Sequence, residues 1–413
     1  MKQKMYMVLL ILMVASLLLV PSSIFAAGDV ASDNSVSIDE VKGAANQHVI
    51  MHSLVMPEWS DAKLSEPIPY YSFFDDTITA YEFTVLNKGE SVGFIFVSAR
   101  KDWYPVLGWG GSKAFSSDIN EAKRVAIEHG YVSSDDSKAI LSPKFYYYGA
   151  GSQSVQLCEK MKNAGVVINL NYFIVEHKPK GQEPTLQMDK KEAQAAWIKV
   201  NEIMSAKSSI TPIQPKSWGQ HTISGVTRFY QHTSNNCGCC DNGNQAGASW
   251  PGCVGNPNDP WYPWDGCAPI SGAMVLDYWR THGYSNISSN DEALIDHCHH
   301  YMQTSSDGGT LASLIDDGLL STITTEYGYY NFSATNMYIG WNSIVQNVDA
   351  NRPMVWNISW AGDLDHSMCG VGYEDYPWQQ QVGWYDPRPT QPSSIIWWTF
   401  GDWQLSTMAY LTP

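Results

Sequence analysis

From Gly266 to Trp279 apolar side chains recur at helical spacing and then close around the whole circumference. Ile270, Ala273, Met274 and Tyr278 fall on one face, and Val275, Leu276 and Trp279 fill the others. A helix apolar almost all round is a buried one. Cys267 stands at its mouth and Pro269 in its first turn, where a missing N–H costs nothing. Two more helical patterns follow, about Ser289 to Met302 and Gly309 to Leu320. After them come short runs rich in Val, Ile, Trp and Tyr: Pro353 to Ser359, Ser367 to Tyr373, Gln381 to Asp386, Ser394 to Phe400 and Thr407 to Leu411. Helices first and strands afterwards predict an α+β domain in two lobes.

The front of the chain follows a different pattern. Ser37 to Leu54 is helical, Tyr81 to Val85 and Gly93 to Val97 alternate as strands, and Asn87-Lys88-Gly89 makes the turn between them. Tyr104 to Trp109 and Val166 to Val175 are further extended pieces, and Lys190 to Met204 reads as an amphipathic helix. Ala206 to Ser217 is an exposed connector of the kind proteases cut. Residues 235 to 266, rich in Asn, Gly, Pro and Cys, form a long insertion directly before the buried helix.

Lys2 and Lys4, the apolar run Met7 to Val20, Pro21, and the small residues Ala26 and Ala27 read as a secretory signal. The run is short for a membrane span of about 20 residues; an uncleaved anchor is the alternative. The expected product is a soluble protein outside the cytoplasm, in two domains on the usual prior of about 150 residues each. A formal net charge of -16 excludes nucleic acid and anionic membrane surfaces as partners. The 17 tryptophans and 23 tyrosines suit a packed exported domain, or a groove for a polymer.

A thiol at a helix N-terminus meets the positive end of the macrodipole and unpaired N–H groups, which both favour thiolate. Cys267 is therefore the candidate nucleophile. Such a sulfur needs a base, and the base needs an orienting group. Asp365-His366-Ser367-Met368-Cys369-Gly370-Val371-Gly372-Tyr373 sets His366 where a loop enters a strand, and Val382 to Pro387 ends a strand on Asp386. Asp363 and Asp365, nearer in sequence, read as solvated loop residues. Apart from Cys158 and Cys267, six of the eight cysteines remain (Cys237, Cys239, Cys240, Cys253, Cys298, Cys369), enough for three disulfides. Cys237, Cys239, Cys240 and Cys253, or Cys298 with His297, His299 and His300, also offer zinc ligands, without the paired spacing of common structural sites. Asn286, Asn331 and Asn357 each open a glycosylation tripeptide.

Gly266-Cys267 opening a helix, His366 before Cys369-Gly370-Val371-Gly372-Tyr373, and Asp386-Pro387 together resemble papain-fold cysteine peptidases, closest to the double-glycine-peptidase-like group. The front strands, Ala99-Arg100 and Pro105-Val106-Leu107-Gly108-Trp109 resemble a streptopain-type propeptide, and Ser217-Trp218-Gly219-Gln220 resembles the segment opening the mature part of that family. The resemblance implies an α+β, papain-like two-lobed catalytic domain at 207–413, behind a signal peptide at 1–27 and an α+β propeptide domain at 28–206. It implies a secreted cysteine endopeptidase made as a zymogen, with Cys267 as nucleophile, His366 as base, Asp386 as orienting residue and Gln220 in the oxyanion hole. Because the insertion stretches the spacing from Gln220 to Cys267, Gln231 is its rival. Protein or peptide is the implied substrate, the front domain an intramolecular inhibitor, and no cofactor or metal is required. A papain-fold transferase or amidase acting on cell-wall or peptide amides, and a catalytically silent binding protein, are the alternative functions.

Overall fold

The computed structural model describes residues 34–128, 130–131, 143–157, 165–170, 175–176, 185–205, 219–229, 265–306, 308–359, 365–376, 378–387, 394–403 and 405–413. The signal region, the connector from Ala206 to Ser217, most of the cysteine-rich insertion, and Cys158, Gln231, Cys237, Cys239, Cys240 and Cys253 lie outside these residues.

Seven α-helices are described: α1 (Ile38–His52), α2 (Ile119–Glu128), α3 (Lys190–Ser205), α4 (Cys267–Thr281), α5 (Asp291–Tyr301), α6 (Ile315–Ser321) and α7 (Trp341–Asp349). α1 starts where the sequence sets a reciprocal cap: Ser37 Oγ accepts from Glu40 N, and the Glu40 carboxylate accepts from Ser37 N. α5 starts on Asn290, whose side chain accepts from Ala293 N. The pattern expected over Gly309 to Leu320 resolves into a 3-10 turn, Ala312–Leu314, followed by α6. α2 and α7 have no counterpart in the sequence reading.

The front strands are β1 (Lys63–Leu64), β2 (Ile68–Tyr71), β3 (Ile78–Asn87), β4 (Glu90–Ser98), β5 (Val106–Gly110), β6 (Lys144–Tyr146), β7 (Ser154–Leu157), β8 (Val166–Asn169) and β9 (Val175–Glu176). The later ones are β10 (Gly219–Thr222), β11 (Ser333–Tyr338), β12 (Met354–Ser359), β13 (Asp365–Asp375), β14 (Gln380–Tyr385), β15 (Ile396–Thr399) and β16 (Leu405–Thr412). The β3–β4 hairpin closes through Lys88 at φ 52° and Gly89 at φ 89°, the two left-handed residues a tight hairpin turn demands. The mixture of helices with one large sheet is compatible with the expected α+β class.

The sheet crosses the expected boundary between front and catalytic halves. Its order runs β11-β16-β12-β13-β14-β15-β5-β4-β3-β2-β6-β7-β8-β9, so β15 of the later half pairs directly with β5 of the front half. From Ser35 to Pro413 the chain is one compact unit. Trp398 lies flat against Tyr147, 6.2 Å between centroids, and beside Phe96. It fills the space over Gly108, where a Cβ would stand 2.3 Å from the indole, so this position requires glycine. The Tyr147 hydroxyl also donates to the buried Asp402. These contacts form one apolar core shared by both halves.

A second cluster ties α1 to the end of β13. His48 and His52 stack at 3.9 Å among Trp59, Trp109 and Tyr376. Tyr376 Oη lies 2.6 Å from His52 Nε2 and donates to Glu374 at 2.6 Å, and Glu374 is fully buried. Gln220 Nε2 donates to the same carboxylate at 2.6 Å.

Of the six cysteines counted toward three disulfides, the described residues include two. Cys298 and Cys369 are free thiols within the core, and burial pushes both well above the ordinary thiol range. They behave as small apolar side chains.

His48 makes the fold sensitive to acid. Burial, and then the charge of His52, hold it well below the ordinary histidine value of 6.5. Unfolded His48 takes up a proton as pH falls through that value while the folded form resists. The unfolded state therefore binds more protons, and stability declines on acidification. The expected slope is at most about 1.4 kcal/mol per pH unit from this group. Urea titrations of wild type and His48→Phe between about pH 4 and 7 should show the variant losing less stability; parallel curves would refute this.

Candidate active site

α4 begins at Gly266, whose φ of 94° is closed to most side chains and whose missing Cβ would meet the Gly308 carbonyl oxygen at 2.4 Å. That glycine turns the chain sharply, so Cys267 becomes the first residue of the helix. Residues Ala268 through Trp279 are all buried, as the apolar circumference of α4 requires, and the helix packs on α5, β12 and β13. Cys267 therefore sits on a rigid element, with its own N–H among the unpaired groups of the helix start.

β13 supplies His366. It pairs with β12 on one side, where His366 lies opposite Ile358, and with β14 on the other. Cys369 pairs with Tyr385, so Asp386, just beyond β14, falls diagonally across from His366. The imidazole Nε2 lies 3.2 Å from Asp386 Oδ1, with both side chains buried. Nδ1 is left as the ring nitrogen for the sulfur, and the imidazole and the thiol each shift the other's titration. The next backbone amide, Ser367 N, donates to Cys267 Sγ at 3.3 Å.

The electrostatics of the pair follow. Burial alone would raise the Cys267 pKa; the hydrogen bond and charge of His366, with the Ser367 amide, outweigh it and hold the thiol below its ordinary value. Burial alone would lower His366; the charge and hydrogen bond of Asp386, then the Cys267 sulfur, outweigh it and hold the imidazole above its ordinary value. Shifts of opposite sign stabilise the thiolate–imidazolium form. This arrangement can attack an electrophilic carbon and then deliver a proton to a leaving group.

The structure brings Cys267, His366 and Asp386 together, but it does not bring Gln220 to them. Gln220 lies on β10, opposite Glu374, eight residues along β13 from His366. At the rise of a strand that is about 25 Å. Its amide is engaged by the Glu374 carboxylate, so from this position it cannot reach an oxyanion at Cys267. Gln231 lies outside the described residues. Arg228, three residues before it, donates from Nε to the Asp386 carbonyl oxygen at 2.8 Å, so the chain has reached Asp386 by that point. Nothing in the local pattern around Arg228 marked this role.

Among the described residues the histidines and the thiol of α5 do not converge as a ligand set. His297 Nδ1 contacts Tyr327 Oη at 2.9 Å, and Cys298 points into the core. Among the described residues the metal-ligating groups that converge are Asp265, Glu292 and Asp296, three buried carboxylates within 4.8 Å of one another.

Residues 244–405 match the model of the Peptidase_C39 like family. The matched segment contains Cys267, His366 and Asp386, and it supports a cysteine peptidase domain of the C39 or papain-like kind. No curated protein sequence matches the chain with significance.

A thiol shifted down by its neighbour should be alkylated at pH values where a free cysteine, titrating near 8.5, is inert. Iodoacetamide rates at Cys267, read by peptide mapping against pH, should show a midpoint below the ordinary one. His366→Ala should move it upward, because burial then acts unopposed by the imidazolium. An unchanged midpoint in the variant would remove His366 as the source of the shift.

Proposed function

We propose that this protein is a secreted cysteine endopeptidase working through Cys267, His366 and Asp386. The observation that carries the reading is the imidazole of His366 set between the Cys267 sulfur and the Asp386 carboxylate. The matched family model over 244–405 supports peptide-bond hydrolysis as the reaction class.

In this mechanism the Cys267 thiolate attacks the scissile carbonyl carbon. The carbonyl oxygen becomes an oxyanion, held by the backbone N–H of Cys267 at the start of α4 and by a side-chain amide. The His366 imidazolium gives its proton to the leaving amine, and the tetrahedral adduct collapses to a thioester. Neutral His366 then takes a proton from water, the resulting hydroxide equivalent attacks the thioester, and the thiolate is released with a carboxylate product. Asp386 holds the ring orientation and favours imidazolium throughout. Of the two glutamines, Gln231 is assigned the amide role, because Arg228 just before it contacts Asp386 while Gln220 is held by Glu374.

The sequence resemblance also supports synthesis as a zymogen, cut in the connector from Ala206 to Ser217. Cys267, His366 and Asp386 are assembled while the front half is attached, so latency in this reading comes from substrate access and not from a displaced triad. The β5–β15 pairing and the shared core support a front half that stays bound after the cut.

Labelling with an epoxide-type thiol-protease inactivator, with peptide mapping, tests the nucleophile. Stoichiometric label on Cys267, lost in Cys267→Ala, with cleavage of peptide substrates by wild type, is the expected result; a folded protein that takes no label at Cys267 would end the reading. Gln231→Ala should lower kcat by about 10²–10³-fold, while Gln220→Ala should leave kcat within about twofold, since its partner is Glu374. Loss of activity in the Gln220 variant alone would reverse that assignment.

A further inference from the structure

We propose that the cavity beside His366 is a subsite for a small, uncharged polar side chain of the substrate. The inference rests on the peptidase reading and adds a substrate class to it. The cavity has a volume of about 150 Å³ and lies where β12, β13 and β16 meet the chain at Thr310 to Ala312. A dry apolar cavity of about this volume accommodates a benzene ring, so size admits one ordinary side chain and excludes the longest.

Its position follows from the nucleophile. Ser367 is part of its wall, and the Ser367 amide is the group 3.3 Å from Cys267 Sγ. A peptide whose carbonyl carbon lies at that sulfur must carry a neighbouring side chain past Ser367. No residue of the front half belongs to the lining.

Its chemistry follows from strand register. Ser367 of β13, Asn357 of β12 and Thr407 of β16 are directly opposed, so their side chains share one face. Ser367 Oγ donates to Asn357 Oδ1 at 2.5 Å, and Asn357 Nδ2 donates to Thr407 Oγ1 at 3.2 Å. Ser359, two residues after Asn357, continues the row, and Thr310 lies in the same lining. A carboxamide has two N–H donors and two acceptor positions, and each hydroxyl can both donate and accept. The row therefore keeps hydrogen-bonding capacity beyond its internal bonds. An apolar side chain laid on it would strip water from those groups and return nothing. Apart from His366, no lining residue is of an ionisable type, so a charged side chain would find no counterion. Serine, threonine and asparagine fit both the volume and the lining.

The test is cleavage of a peptide library by the full-length protein, after the same activation that yields inactivator label on Cys267, followed by kcat/KM for substrates differing only by threonine against its isostere valine. We expect Ser, Thr or Asn enriched at one of the two positions on either side of the cut, with threonine favoured over valine by about tenfold. In Thr407→Val, and in Asn357→Leu if it folds, that ratio should fall to within about twofold of unity. Enrichment of large apolar or charged residues at all four positions would overturn the proposal while leaving the peptidase standing. So would a threonine-to-valine ratio untouched by Thr407→Val. A protein that labels at Cys267 yet cuts no peptide would overturn the peptidase reading, and the subsite with it.

Discussion

The pairing of β13 with its neighbours is the constraint on which the rest of the structure depends. One strand carries His366 at its start and Glu374 at its end. Its first half is held by β12, its second by β10, and β14 runs along the opposite edge. A slip of one residue would turn every side chain to the other face. His366 would leave both Cys267 and Asp386, and Ser367 would take its place against the buried helix. The register against β14 also contains an irregularity between Gly370 and Gly372, so that Val371 is an extra residue. Such a bulge re-aims the strand beyond it, so the portion that pairs with β10 and carries Glu374 is turned relative to the portion that presents His366.

The same strand links the chemistry to the front half. Glu374 gathers Gln220 from β10, Tyr376 from the turn after β13, and through Tyr376 the His52 ring of α1. A buried carboxylate stripped of these partners would cost several kcal/mol, so the cluster specifies how α1 meets β13. With the β5–β15 pairing and the indole of Trp398 filling the space over Gly108, it makes the front half part of the same packed body. A segment that reads as a separate domain in composition shares its sheet with the later half.

Much of the site was legible in the chain because its signals are local. A cysteine following a glycine at the start of an all-round apolar helix predicts a presented thiol, and the conformation of Gly266 explains why a glycine stands there. Asp386-Pro387 after an alternating strand predicts a carboxylate at a strand end. The glutamine was harder to read. The Trp218-Gly219-Gln220 tripeptide pointed to Gln220, but a motif does not say where its strand will pair. β10 pairs at the far end of β13, and Gln220 becomes a structural donor to Glu374. Likewise Cys298 and Cys369 counted toward disulfides by arithmetic, and the core uses both as buried thiols.

By itself the sequence determined the buried helix at Cys267, the front hairpin with its left-handed turn, the caps of α1 and α5, and the order of the thiol, the imidazole and the carboxylate along the chain. These depend on periodicity, caps and turn residues, which act over a few positions. Only the tertiary structure decided which strand ends meet. Ser367, Asn357 and Thr407 are far apart in the chain and directly opposed in the sheet, and Trp109 and Trp397 stack across two halves. Pairing of distant strands is set by the combined packing of all their side chains, and no local pattern encodes that sum.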